Sequence, residues 1–367
     1  MSSPPRRKLW LDWQRGLAVL LMVEVHVLDA WLAPGADDGF LFHALRMLGG
    51  LAAPGFLFMA GLSQGLADAA LARKGLDPAA RRRRALSRAV WLLGVSYGLR
   101  IALYLLGGWR QASGLREIVK VDVLDVIAVG LALGAILAVG RTRAWAVALA
   151  ATGAAAVVLA TPLVADVLRH YDAPAGGAAA LQAPNVAVDV AYAYLYGRPP
   201  RAIFSLFNWV AFLLAGAALA PLAAGPRRPA LWLALGAALY ALGAAADRLP
   251  DVYAFQSFWR TAPAWFAMRL GICVGVAGLL QLLPDLLERP LGWLTLLGRQ
   301  SLVGYVASVQ LTYGAVAKPL EKRLSFPATL AAMVGMITVT WAISVAWERV
   351  QGWRKGRKAA GSAAAAP

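Results

Sequence analysis

Charge is scarce in this chain. Only 15% of its 367 residues are charged and 60% are hydrophobic. A soluble domain of this size needs far more polar surface, so the composition excludes one. There is a single cysteine, Cys273, inside an apolar run. It excludes an intrachain disulfide and any C-x-x-C metal site. No G-x-G-x-x-G or Walker pattern occurs, so no phosphate-cradling loop is expected. Histidine is limited to three positions, His26, His43 and His170. Acidic residues are few as well, 19 against 36 Lys and Arg, which leaves a net charge of +17. That excess invites a nucleic-acid reading. The cations, however, stand in short clusters between apolar runs, where they set membrane topology, so no nucleic-acid partner is expected.

What the chain does have is long apolar runs. Spans of roughly 20 apolar residues cross a bilayer, and ten candidates occur: 13–33, 49–71, 86–107, 121–140, 144–167, 203–223, 229–246, 262–283, 293–315 and 327–348. The expected fold is all-α, a polytopic membrane protein with about ten transmembrane helices. An even number puts both termini on one side. MSSPPRRK at the start, RKGLDPAARRRR between spans and WRKGRK near the end place that side in the cytoplasm. The start has the layout of a signal peptide, but its apolar part is too long and holds Glu24, His26 and Asp29, so it reads as an uncleaved first span. Residues 1–350 are expected to form one transmembrane domain, and 351–367 a basic, disordered cytoplasmic tail. The lipid bilayer is the evident partner, and a homodimer is one arrangement the sequence permits.

Ionisable side chains at bilayer depth are costly and lean towards function. The first span carries Arg15, Glu24, His26 and Asp29. Arg15 and His26 are eleven residues apart, about three helical turns, so they share a face roughly 16 Å apart along the axis. Asp29 lies one turn beyond His26, within reach to orient an imidazole. Glu24 lies about 160° away and needs another neighbour, for which Arg100 and Arg269 are candidates. A relay across the bilayer, from Arg15 to His26, competes with an interfacial anchor and a satisfied polar histidine.

A second cluster lies in GFLFHALRMLGG, where His43 and Arg46 are one turn apart before the second span. Pro54 and the glycines around it allow a close backbone approach. Asp122 and Asp125 open span four, and Asn208 and Trp209 open span six. Trp259, Arg260 and Arg269 belong to span eight, and Arg299, Gln300, Ser301, Tyr305 and Gln310 to span nine. Arg269 and Arg299 suit a phosphate or carboxylate, although Arg299 near a helix end also suits snorkelling. Most of the Trp and Tyr residues read as an interfacial belt. The longest segment between spans, 169–202, holds His170, Asp172, Asp189, Tyr192, Tyr194 and Tyr196.

LDWQRGLAVLLMVEVH, GGLAAPGFLFMAGLS and VDVLDVIAVGLAL together resemble the transmembrane acyltransferase superfamily, with the best likeness to the heparan-α-glucosaminide N-acetyltransferase-like membrane proteins of bacteria. FWRTAPAWFAMRLGI and LGRQSLVGYV look like that family's later spans, so the resemblance runs from about 9 to 315. Arg15-x10-His26 is similar to the arginine–histidine pair in the first span of acyltransferase-3 proteins. The resemblance implies ten or eleven helices and acyl transfer from cytoplasmic acyl-CoA, acetyl-CoA being the expected donor, to an acceptor across the membrane. It makes His26 the base and puts the CoA near Arg15. The lysosomal enzymes carry their active histidine after the first span, nearer His43 here, so the choice between His26 and His43 stays open. Ser308 stands where relatives show a histidine.

The expected reaction is acyl transfer to an amine or hydroxyl of a glycan or other envelope molecule in the bacterial inner membrane, without a metal. His26, oriented by Asp29, or alternatively His43, takes the proton. Arg15 and Arg299 hold CoA phosphates. Arg46, Asp122, Asn208, Trp209 and Arg269 are the expected acceptor contacts, with Asn208 or Arg46 at the oxyanion. A carrier or flippase without chemistry is the rival, resting on Glu24, Arg100, Asp122 and Arg269. A membrane scaffold would leave the intramembrane charges unexplained.

Overall fold

The computed structural model describes residues 7–36, 39–105, 118–168, 186–197, 202–250 and 258–364. His170 and Asp172 lie outside them. The chain forms fourteen α-helices among the described residues: α1 (Leu9–Trp31), α2 (Phe40–Gly49), α3 (Ala52–Arg73), α4 (Pro78–Leu105), α5 (Val123–Leu137), α6 (Arg143–Leu168), α7 (Val186–Tyr196), α8 (Leu206–Ala224), α9 (Pro229–Ala246), α10 (Phe258–Thr261), α11 (Pro263–Leu282), α12 (Gly292–Arg299), α13 (Ser301–Tyr313) and α14 (Phe326–Ala364). It is an all-α, multi-pass membrane protein.

Seven helical stretches are long and apolar enough to cross a bilayer among the described residues, against the ten expected. The three that fall short have physical reasons. α1 carries Asp12, Arg15, Glu24 and Asp29. α5 has 15 residues, or about 22 Å of helix, less than a bilayer core. The ninth expected span is interrupted at Gln300, whose φ of −103° and ψ of 25° separate α12 from α13. α14 stays helical to Ala364, because the Ala, Lys and Arg beyond residue 350 are strong helix formers.

The chain divides into two compact units. The first comprises residues 1–52, 106–108 and 283–367. Its axis is α1, which packs on α2, α12, α13 and α14. α1 and α12 meet backbone to backbone. A Cβ on Gly298 would fall on the Asp12 carbonyl, and one on Gly16 on the Leu294 carbonyl. In lipid, where apolar burial gives no drive between helices, such close approach maximises van der Waals contact. Two tryptophans fix the ends. Trp13 Nε1 donates to Thr295 Oγ1 at 3.0 Å, and Trp31 Nε1 donates to the Thr312 carbonyl at 3.1 Å. Beyond Trp31 the backbone pairs with 322–324: Leu324 N donates to the Trp31 carbonyl (2.9 Å) and Ala33 N to the Leu324 carbonyl (2.9 Å).

The second unit comprises residues 53–105 and 109–282. The α3–α8 and α9–α11 crossings use the same device: a Cβ on Gly216 would strike the Phe58 carbonyl, one on Gly61 the Leu213 carbonyl, and Gly236 and Gly271 face each other. One of its charge pairs is deeply buried. Arg100 binds Asp125 through both guanidinium nitrogens, at 2.5 and 3.0 Å, and both side chains are buried. Arg100 also donates to Ser96 Oγ (3.1 Å) and the Ile118 carbonyl (2.9 Å). Asp125 Oδ2 accepts from Asp122 N at 2.8 Å, closing a capping box at the start of α5.

Removing one partner of this pair would leave an uncompensated charge, at a cost of about 3–5 kcal/mol. Arg100→Met or Asp125→Leu alone is therefore expected to lower the thermal midpoint of the detergent-solubilised protein sharply. The double variant should recover most of the loss. A double variant as unstable as either single would contradict this account.

Candidate functional site

Three groups of side chains gather the expected site residues. The first lies at the Arg15 end of α1. Asp12 is buried and receives Arg7 Nε at 2.5 Å and Arg15 Nη1 at 3.1 Å. The hydrogen bond to Asp12 holds the Arg7 guanidinium above its ordinary pKa. The Gly16–Gly298 crossing places Arg15 and Arg299 beside the same helix contact, since each precedes or follows the glycine at that point. Arg299 Nη2 is 2.6 Å from Glu348 Oε1, and both side chains are partly exposed. Both arginine side chains are partly exposed, and Asp12 also holds Arg7. Partly exposed ion pairs contribute about 0–1 kcal/mol, so a phosphate can compete for both guanidinium groups.

The second group lies at the other end of α1. His26 is half-buried, and its ring meets those of Tyr313 (5.4 Å between centroids) and Tyr305 (6.4 Å), both edge-on at 70°. α13 delivers both tyrosines, and the Trp31–Thr312 bond pins the end that carries Tyr313. Asp29 is arranged differently from its expected role. Its carboxylate is exposed and faces Arg46 Nη1 at 3.4 Å, because α2 lies alongside this turn. Lys322 Nζ donates to the Asp29 carbonyl. Lys322 has φ +55°, a left-handed conformation uncommon without glycine, which aims its side chain at this end of the helix. His43 is exposed on α2, against Phe42 at 5.4 Å. The structure thus brings His26, Asp29, His43 and Arg46 into one unit, with His26 the more enclosed histidine. Tyr313 and Lys322 were missed by sequence reasoning. Tyr313 stands in no polar pattern that would have marked it, and Lys322 is one of three consecutive charged residues, Glu321 to Arg323.

Glu24 projects about 160° from His26 around α1, towards the end of α2. It is 4% exposed, and neither carboxylate oxygen has a hydrogen-bond partner among the described residues. Arg100, one of its expected partners, is bound to Asp125. Glu24 Oε2 occupies space that any side chain at position 49 would fill, since a Cβ on Gly49 would lie 2.7 Å from it.

The third group belongs to the second unit. Asn208 is buried, with φ +72° and ψ −46°, so α8 becomes regular only from Trp209. This strained turn presents Trp209 to Phe204 (4.7 Å) and Trp265 (5.5 Å). The Arg269 guanidinium lies 6.0 Å from the Trp265 ring and 5.7 Å from the Trp259 ring. Trp209 and Arg269 therefore converge on Trp265, which sequence reasoning had not singled out, although Trp265 and Arg269 at i and i+4 are neighbours on a helix. Asp122 is occupied as the cap of α5 through Val123 N at 2.6 Å. Among the described residues no cluster of three or more metal-ligating side chains occurs.

The isolation of Glu24 has a measurable consequence. Replacing a buried polar group that lacks a partner by an apolar group of similar volume removes a desolvation cost of about 1–3 kcal/mol. Glu24→Met is expected to raise the thermal midpoint, whereas most substitutions at so buried a position lower it. A clear drop in the melting temperature would show that the carboxylate contributes to the fold.

The comparisons with known proteins bear on these groups. A search of curated proteins gives no match. A family profile described as heparan-alpha-glucosaminide N-acetyltransferase, catalytic, matches residues 7–240, from the Arg7–Asp12 pair through His26, Arg46 and Asn208. That match spans well over half of the sequence, and the chain belongs to the heparan-α-glucosaminide N-acetyltransferase catalytic family.

Proposed function

We propose that this protein transfers an acyl group, acetyl in the first instance, from acyl-CoA to an amine or hydroxyl of a glycan or other envelope molecule. The observation that carries the reading is α1 itself. One unbroken helix holds Arg15 at one end and His26, enclosed by Tyr305 and Tyr313, at the other. The two are roughly 16 Å apart along the axis. Such a helix suits a donor held on one side of the membrane and an acceptor on the other. The donor side would be the cytoplasm of a bacterial cell, with both termini on that side.

In the proposed reaction Arg15 and Arg299 exchange Asp12 and Glu348 for the donor's phosphates. The acceptor nitrogen or oxygen attacks the thioester carbon, and the His26 imidazole takes its proton. The carbonyl oxygen gains negative charge, which Arg46 is suited to stabilise by exchanging Asp29 for it. The intermediate then releases the CoA sulfur, the proton passes from His26 to it, and the acylated acceptor leaves. Within the second unit, Trp209, Trp265 and Arg269 form an aromatic and cationic group of their own. The rival carrier reading has less to rest on, because Arg100 and Asp122 have structural duties.

The test is transfer of labelled acetyl from acetyl-CoA to a panel of amino sugars and envelope glycans by the purified protein. His26→Ala should lower the rate by roughly a hundredfold or more while leaving the melting temperature close to wild type. His43→Ala should retain the rate within severalfold. Activity kept in the first variant and lost in the second would move the base to His43.

A further inference from the structure

The end of α14 carries a surface that acyl transfer does not use. Residues 326–347 contain no ionisable side chain, and at 1.5 Å per residue they give about 33 Å of helix, one full bilayer crossing. The sequence then changes abruptly to ERVQGWRKGRK, with Arg349, Arg354, Lys355, Arg357 and Lys358 within eleven residues. The acid in this stretch, Glu348, is bound by Arg299. It therefore does not offset the cations that follow.

These cations are not tied into the fold. Arg349, Arg354, Lys355 and Arg357 are all exposed. Gln351, Trp353, Arg354, Lys355 and Arg357 line one shallow depression. Trp353 is 62% exposed, and the Arg357 guanidinium lies 4.8 Å above its ring. An exposed tryptophan just past an uncharged span sits at headgroup depth, where its ring is half in the apolar layer and half wet. The helix continues without a break, so Arg349 to Arg357 extend only about 15 Å beyond the apolar crossing. That is of the order of the distance over which a charged lipid surface acts.

We propose that this segment of α14 binds the phosphate headgroups of anionic phospholipids in the leaflet it emerges from. The occupant is a lipid surface rather than a soluble phosphate for a geometric reason. The cations are displayed along the emerging helix beside an interfacial tryptophan, whereas Arg15 and Arg299 sit at a helix crossing suited to one small ligand. The proposal stands independently of the transfer reaction.

The test is native mass spectrometry of the purified full chain from detergent, with phosphatidylglycerol, phosphatidylcholine of the same acyl chains, and coenzyme A as separate arms. The wild type should retain phosphatidylglycerol well above phosphatidylcholine, and less of it as salt is raised. The triple variant R354Q/K355Q/R357Q, changed only at exposed positions, should lose that preference by roughly tenfold or more. Arg15→Gln should keep it. Equal retention of both lipids by the wild type would overturn the proposal. So would an unchanged preference in the triple variant, or loss of coenzyme A binding in that variant with phosphatidylglycerol retention intact.

Discussion

A charge carried into an apolar layer has to be matched inside the protein, because neither lipid nor a packed core offers water to solvate it. The arrangement of helices follows this constraint. Arg100 would be prohibitive on α4 without Asp125, and Asp125 would be equally so on α5. Their two-point contact, completed by Ser96 and the Ile118 carbonyl, fixes the rotation of both helices about their axes. Asp125 simultaneously closes the cap of its own helix, so the charge pair and the helix start are one structure. At the Arg15 end of α1 the same rule is met more loosely, with Asp12 shared between Arg7 and Arg15. The difference in tightness separates structural charges from those available for exchange. A fully buried pair cannot release an arginine to a ligand without leaving an aspartate unmatched, whereas a partly exposed pair can.

Close helix contact is the second constraint, and it depends on missing side chains. Gly16 against Leu294, Gly298 against Asp12, Gly61 against Leu213 and Gly216 against Phe58 are all points where a Cβ would overlap a backbone carbonyl. They locate the helix axes more firmly than the apolar surfaces do, since leucine-rich faces slide easily in lipid. In the first unit the contact at Gly298 has a chemical result, because it sets Arg299 next to the turn of α1 that carries Arg15.

Much of this was legible in the sequence. All ten expected apolar spans coincide with helices, and 229–246 agrees with α9 at both ends. The shared face of Arg15 and His26 needed only an unbroken helix, which α1 is. What escaped reading was tertiary. The spacing of Asp29 from His26 is correct, but α2 places Arg46 beside the carboxylate, and no local pattern announces that. Tyr313 reaches His26 across 287 positions through the Trp31–Thr312 bond. Asp122 looked like a ligand because it is acidic and near a helix start, which is also the description of an N-cap. The seven-against-ten discrepancy has a similar origin. A helix lined with Asp, Arg and Glu is not apolar enough by composition to cross a bilayer, although protein neighbours bury Asp12 and Glu24.

Glu24 shows how these constraints divide the two faces of α1. On one face Asp12, Arg15 and Asp29 each have an opposite charge within 3.4 Å, and the helix can expose them in turn to ligand or solvent. On the other face Glu24 lies against Gly49, where α2 ends. A helix C-terminus presents carbonyl oxygens and a partial negative charge, so it offers a carboxylate no stabilisation. The short side of that contact is forced: with any side chain at position 49, either α2 or the Glu24 rotamer would have to move. α2 is therefore held against α1 at Gly49 and at the Arg46–Asp29 pair, one contact close and buried, the other long and exposed. Because the second contact is weak, α2 is held less firmly at Arg46 than at Gly49, while His26 stays where Tyr305 and Tyr313 hold it.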